Sequence, residues 1–109
     1  MRAPAIADPK LAEMVRRLVE GLKPDAIYLF GSAARGEMRS DSDYDLLVVV
    51  RNSDLPGYKR DQKAFRLLCG VGASKDVIVL TRAEFDKKLS VACSLPATVV
   101  REGRLLYAA

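Results

Sequence analysis

"SDYDLLVVV", residues 42–50, sets two aspartates two positions apart directly before five apolar residues. An unbroken apolar run of this length suits a strand covered on both faces, so Asp43–Val50 reads as a central strand of a sheet. Side chains two apart on a strand share a face, about 6.5 Å from one another. Asp43 and Asp45 therefore point the same way. Carboxylates this close repel and raise each other's pKa, which calls for a cation beside them. A small set of oxygen ligands suits magnesium, which fills the rest of its shell with water and substrate phosphate.

Working outward, Asp25–Phe30 reads as a second buried strand, and Gly31-Ser32 follows it. Ser32 can cap a short helix through Arg35, closed by Gly36. Further upstream, Asp8-Pro9 starts a helix whose apolar side recurs at Leu11, Met14, Val15, Leu18, Val19 and Leu22, and Pro24 stops it. Downstream, residues 52–57 form a loop. A helix over 58–69 then turns Phe65, Leu68 and Cys69 inward and ends at Gly70-Val71-Gly72. Asp76–Leu80 is a third strand. Thr81-Arg82-Ala83-Glu84 is a capping box that opens a helix with Phe85, Leu89, Ala92 and Cys93 on one side. Ser94–Glu102 reads as a short helix and Arg104–Tyr107 as a short strand. Up to that tail the order is α-β-α-β-α-β-α: an α/β (α+β) chain with one small mixed sheet and helices packed on it. Residues 1–109 are expected to form a single domain.

The connection between the strands at 43–50 and 76–80 runs 25 residues, from 51 to 75, and contains a helix. Such crossovers join parallel strands. Asp76 opens its strand as Asp43 opens the other, so parallel pairing brings all three carboxylates to one rim. An antiparallel first strand delivers Gly31-Ser32 to the same place. There, backbone N–H groups and the Ser32 hydroxyl can bind phosphate oxygens, glycine allows close approach, and Arg35 adds a cationic fork.

The chain of 109 residues is half apolar and carries a net charge of +4. Residues 25–50 hold two arginines against five carboxylates, and the remainder is basic. A basic body around an acidic centre suits a polyanion held through metal ions. No run of about 18 apolar residues exists, so a membrane span is not expected, and the N-terminus lacks a signal peptide's apolar stretch. Cys69 and Cys93 have no metal-like spacing and read as buried free thiols of a cytoplasmic protein. The Lys59-Arg60 and Lys87-Lys88 pairs read as solvated helix faces, and Tyr28 and Phe30 as core. With no histidine in the chain, histidine-dependent catalysis and histidine-ligated zinc are excluded. Asp41-Asp43-Asp45 imitates the opening of a calcium loop, but Leu46 replaces its glycine and Asn52 its final glutamate. Gly31–Gly36 has P-loop spacing, yet Glu37 stands where lysine is required.

Gly31-Ser32-Ala33-Ala34-Arg35-Gly36, followed by Ser42-Asp43-Tyr44-Asp45-Leu46, resembles the signature of the DNA polymerase β-like nucleotidyltransferase superfamily. The short length and the segment Asp76–Leu80 resemble its minimal nucleotidyltransferase branch. The resemblance implies that Asp43 and Asp45 bind the divalent ions that carry a nucleoside triphosphate. It makes Asp76 the third carboxylate, a metal ligand and the base toward an attacking hydroxyl. Gly31 and Ser32 would hold the β- and γ-phosphates, with Arg35 and Ser42 beside them. Two Mg2+ ions would stabilise the attacking and leaving oxygens of an in-line displacement at the α-phosphate. Members of the branch are typically encoded beside a HEPN-domain toxin, an RNase-like protein. They act as antitoxins, some by transferring AMP from ATP onto a tyrosine of that partner. Two other functions are compatible with the residues: an antitoxin that masks its partner without catalysis, and a basic nucleic-acid-binding domain. The second lacks a recognition element. Self-association is compatible with so small a domain.

Overall fold

Asp8 accepts hydrogen bonds from the Lys10 and Leu11 amides, and Pro9 fills the first position of α1, Pro9–Leu22. Both devices satisfy or remove amides that a helix N-terminus leaves unpaired. In the computed structural model the described residues are 8–31, 44–72 and 74–109. The remaining described elements are β1 Ala26–Phe30, β2 Tyr44–Val50, α2 Gly57–Leu67, β3 Lys75–Thr81, α3 Arg82–Leu89, α4 Leu95–Glu102 and β4 Arg104–Ala108. The short helix expected after Ser32 lies outside the described residues.

The strands form one sheet in the order β3-β2-β1-β4. β2 pairs with β3 in parallel, as the crossover length predicts, whereas β1 is antiparallel to both β2 and β4. Alternation along β2 divides the core in two. Tyr44, Leu46, Val48 and Val50 pack with Leu11, Met14, Val15 and Leu18 of α1 and with Ala64 of α2. Leu47 and Val49 pack with Phe85 of α3 and Val99 of α4 on the opposite face. The unbroken apolar run thus reports helices on both sides of the strand. Tyr28 and Phe30 are half-buried against the second layer, where the Tyr28 ring stacks on Phe85.

Four expectations are corrected. Phe65 is exposed, because the buried stripe of α2 runs through Arg60, Ala64 and the following Leu68, leaving Phe65 rotated outward beneath the Lys75 ammonium. Cys69 and Cys93 are free thiols, as expected, but both are exposed. α3 ends at Leu89, so Ala92 and Cys93 belong to the turn that leads to the Ser94 cap of α4. Arg60 is not solvated: it is buried, with its guanidinium against both Glu84 oxygens at 2.8 and 3.1 Å. Arg60 and Asp61 also cover the outer edge of β3, where the Val79 amide donates to Asp61 at 2.8 Å and the Val79 carbonyl accepts from Arg60 at 3.4 Å. At Val79 these contacts occupy the edge groups that another strand would need.

Candidate active site

The start of β2 is anchored from the side away from the carboxylates. Tyr44 is buried and its hydroxyl donates to the Asp8 carboxylate, while its amide donates to the Ser74 carbonyl at 3.0 Å. Burial first, and the Asp8 hydrogen bond second, push the Tyr44 hydroxyl up to about 12. Burial alone would raise the Asp8 carboxyl, but hydrogen bonds from Tyr44, Leu11 and Lys10 outweigh it and hold the group below its usual value. With Tyr44 held on the α1 side, its neighbour Asp45 must point to the other face.

Asp45 shares that face with Leu47 and Val49, and Asp76 shares it with Ile78 and Leu80. The two aspartates are direct partners in the parallel register. Adjacent strands lie about 4.8 Å apart, so the carboxylates stand side by side. Asp45 is half-buried and Asp76 exposed. On the other flank Phe30 is the register partner of Asp45, which carries Gly31 to the same rim. Gly31 has φ +77°, and a Cβ there would lie 2.3 Å from Asp45 Oδ2. Only glycine can both take that backbone shape and leave the carboxylate its place. The rim therefore reads Gly31, Asp45, Asp76 across β1, β2 and β3.

Asp43, Ser32, Arg35 and Ser42 lie outside the described residues. Among the described residues no three histidine, cysteine or acidic groups converge. Two adjacent carboxylates are nonetheless a donor set that fits Mg2+, which takes one or two protein carboxylates and completes its shell with water and phosphate. The opposite end of the sheet is built differently. There Asp25 lies between Arg51, 3.8 Å away, and Arg82, 3.5 Å away.

Two features escape sequence reasoning: the Asp8–Tyr44 anchor, which joins residues 36 apart, and an apolar groove over Ile78 and Leu80 of β3. The groove measures about 430 Å³ and is lined by Ile78, Leu80, Val91, Leu95 and Pro96, with Lys88 and Ser94. Periodicity marks such residues as core and does not say that a cleft is left between them.

The sequence profile of the nucleotidyltransferase domain family matches residues 9–106. Two proteins of Methanocaldococcus jannaschii, each named "Putative protein adenylyltransferase", are related in sequence. One is 36% identical over 81 residues, covering 74% of this chain and 76% of the relative. The other is 33% identical over 57 residues, covering 52% of this chain and 56% of the relative, so the match spans little more than half of that protein. Among solved structures, one described as a toxin-antitoxin with AMP-PNP superposes with a TM-score of 0.67 at 23% identity, covering 94% of this chain and 75% of that one. At that identity the likeness speaks for the fold, which is the mixed α/β fold of nucleotidyltransferases. With a profile match over almost the whole chain and a glycine and two aspartates gathered at one sheet rim, the chain belongs to the nucleotidyltransferase domain family.

Proposed function

We propose that this chain transfers a nucleoside monophosphate, AMP from ATP, onto a hydroxyl of a partner protein and so acts as the antitoxin of a HEPN-type toxin. The observation that carries the proposal is the side-by-side placement of Asp45 and Asp76 with Gly31 at the same rim. The names of the archaeal relatives support protein adenylylation, and the toxin-antitoxin neighbour supports the class of partner.

Asp43, Asp45 and Asp76 would hold two Mg2+ ions, which supply charge neutralisation for a triphosphate and its displaced pyrophosphate. Gly31 lets phosphate oxygens approach the backbone, and Ser32, Arg35 and Ser42 would bind them by hydrogen bonds and charge. Asp76, exposed at the edge strand, is open to an incoming hydroxyl and takes its proton. The acceptor oxygen bonds to the α-phosphorus as the bond to the bridging oxygen breaks, and pyrophosphate leaves with the electron pair.

Incubation with labelled ATP, Mg2+ and the protein encoded beside it tests the proposal. Label is expected on that protein, and its transfer is expected to fall at least 1,000-fold, roughly, in Asp45→Asn and Asp76→Asn chains that unfold at the wild-type temperature. Absence of transfer by the wild-type chain refutes the activity. Neutralisation of the toxin that survives both substitutions assigns it to masking.

A further inference from the structure

The two strands that carry Asp45 and Asp76 are fastened at their starts to the first turn of α1. Asp8 divides its carboxylate between two tasks. Its Oδ1 accepts the Lys10 and Leu11 amides at 2.9 and 3.3 Å, and its Oδ2 accepts the Tyr44 hydroxyl. Tyr44 opens β2 and directly precedes Asp45. Two residues along α1, the Lys10 ammonium donates to the Gly72 carbonyl at 2.8 Å, three residues before β3 begins. The Tyr44 amide closes the set by donating to the Ser74 carbonyl at 3.0 Å. These bonds link α1 to β2, α1 to the approach to β3, and β2 to that same approach. Leu11 and Met14 of α1 share one buried cluster with Tyr44, Val71 and Val77.

The needs of α1 itself do not account for this pair of residues. One oxygen caps a helix, and serine serves as well as aspartate. Lys10 stands in the first turn, where a cation opposes the helix dipole. Resting on the divalent-ion site of the reading above, we infer that Asp8 and Lys10 are positioning residues for that site: they hold the starts of β2 and β3 so that Asp45 and Asp76 keep their side-by-side spacing before an ion arrives. Like charges in register on neighbouring strands repel, and without an ion that repulsion acts at the strand starts. The bonds to α1 grip the same strand starts from the opposite face and resist the spread. Ion chemistry makes the consequence selective. Mg2+ demands a near-ideal octahedron with ligands at about 2.0–2.1 Å, whereas Ca2+ accepts a flexible shell of more oxygens. Carboxylates free to drift apart therefore lose Mg2+ before they lose Ca2+.

Asp8→Ser keeps a capping oxygen for α1 and has no second oxygen for Tyr44. Lys10→Met keeps the stem and removes the ammonium. Ser94→Ala is the control, because it removes the cap of α4 and leaves α1 untouched. The readouts are the thermal midpoint and the concentrations of Mg2+ and of Ca2+ that half-saturate binding of a fluorescent, non-hydrolysable ATP analogue. Asp8→Ser is expected to raise the Mg2+ concentration about tenfold, the cost of losing an outer-shell support. Lys10→Met is expected to raise it by less, and the Ca2+ concentration to stay within about twofold in both. Ser94→Ala is expected to lower the thermal midpoint and to change neither concentration. An unchanged Mg2+ concentration in both α1 variants overturns the inference. So does a rise that Ca2+ shares or that Ser94→Ala reproduces, which reduces the pair to a structural role. Analogue binding by the wild-type chain that ignores divalent ions refutes the ion site and this inference with it. All of these are binding constants, so failure of the transfer reaction shows separately, in the labelling experiment.

Discussion

Replacing Gly31 with alanine separates a backbone cost from a functional one. At φ +77° the new side chain adds about 1–2 kcal/mol of left-handed strain. Its Cβ would also stand 2.3 Å from Asp45 Oδ2. Ordinary carbon–oxygen contacts lie at about 3.3 Å or more, so the carboxylate must retreat by about 1 Å. The side chain is short and Gly31 is fixed to the end of β1, so Asp45 turns and the strands stay paired. A displacement of about 1 Å at a reacting centre costs about 100-fold in rate. Gly70→Ala is the matched control: its φ is +90° and nothing lies within 4 Å of the added atom. Both variants are expected to lose about 1–2 kcal/mol, or roughly 4–16 °C in thermal unfolding followed by circular dichroism. Only Gly31→Ala is expected to lose nucleotide transfer, by about 100-fold in kcat/KM. Equal transfer rates in the two variants at equal stability would refute the claim that Gly31 makes room for the Asp45 carboxylate.

Three further outcomes follow from the packing. Tyr44→Phe removes the hydroxyl that faces Asp8, and urea unfolding is expected to show a loss of about 1–2 kcal/mol at constant m. Glu84 is held down to about 2, first by the Arg60 hydrogen bond and then by the Thr81 amide. A carboxyl depressed on folding stabilises above its unfolded value of 4.5, and that stability drains away as pH falls toward about 2. Glu84→Gln keeps the helix cap, should flatten the pH dependence of unfolding across that window, and should cost about 1–2 kcal/mol at neutral pH because Arg60 stays buried and charged beside a solvent-reached partner. Phe85→Ala empties the centre of the second core layer and is expected to cost about 3–5 kcal/mol in the same denaturation assay.

The adjacency of Asp45 and Asp76 was legible because it is written in short-range signals. Strand alternation put Asp45 on one face, and the crossover from 51 to 75 required β2 and β3 to run parallel, which set Asp76 beside it. The sequence left the course of β1 open, and its antiparallel pairing in the structure brings Gly31 to that rim. Helix starts were equally local, as Asp8-Pro9 and the Thr81–Glu84 box show, because a cap is a hydrogen bond across three residues. Misreadings came where the deciding partner is distant. Arg60 scores as a surface charge until Glu84, 24 residues on, is folded against it. Phe65 scores as core until the stripe through Arg60 and Ala64 sets the rotation of α2.

The amino-acid sequence by itself determined the order of the described elements and the parallel course of β2 and β3, which sets Asp45 beside Asp76. Each of these follows from periodicity, capping or connection length, which act between neighbours in the chain. Tertiary structure alone decided that Asp8 anchors Tyr44, that Arg60 is buried, and that a groove of about 430 Å³ remains between β3 and the turn into α4. Those outcomes depend on which surfaces meet and on how completely they fill the space between them. Packing of that kind is settled by the volumes and directions of residues far apart in the chain, and no local pattern encodes it.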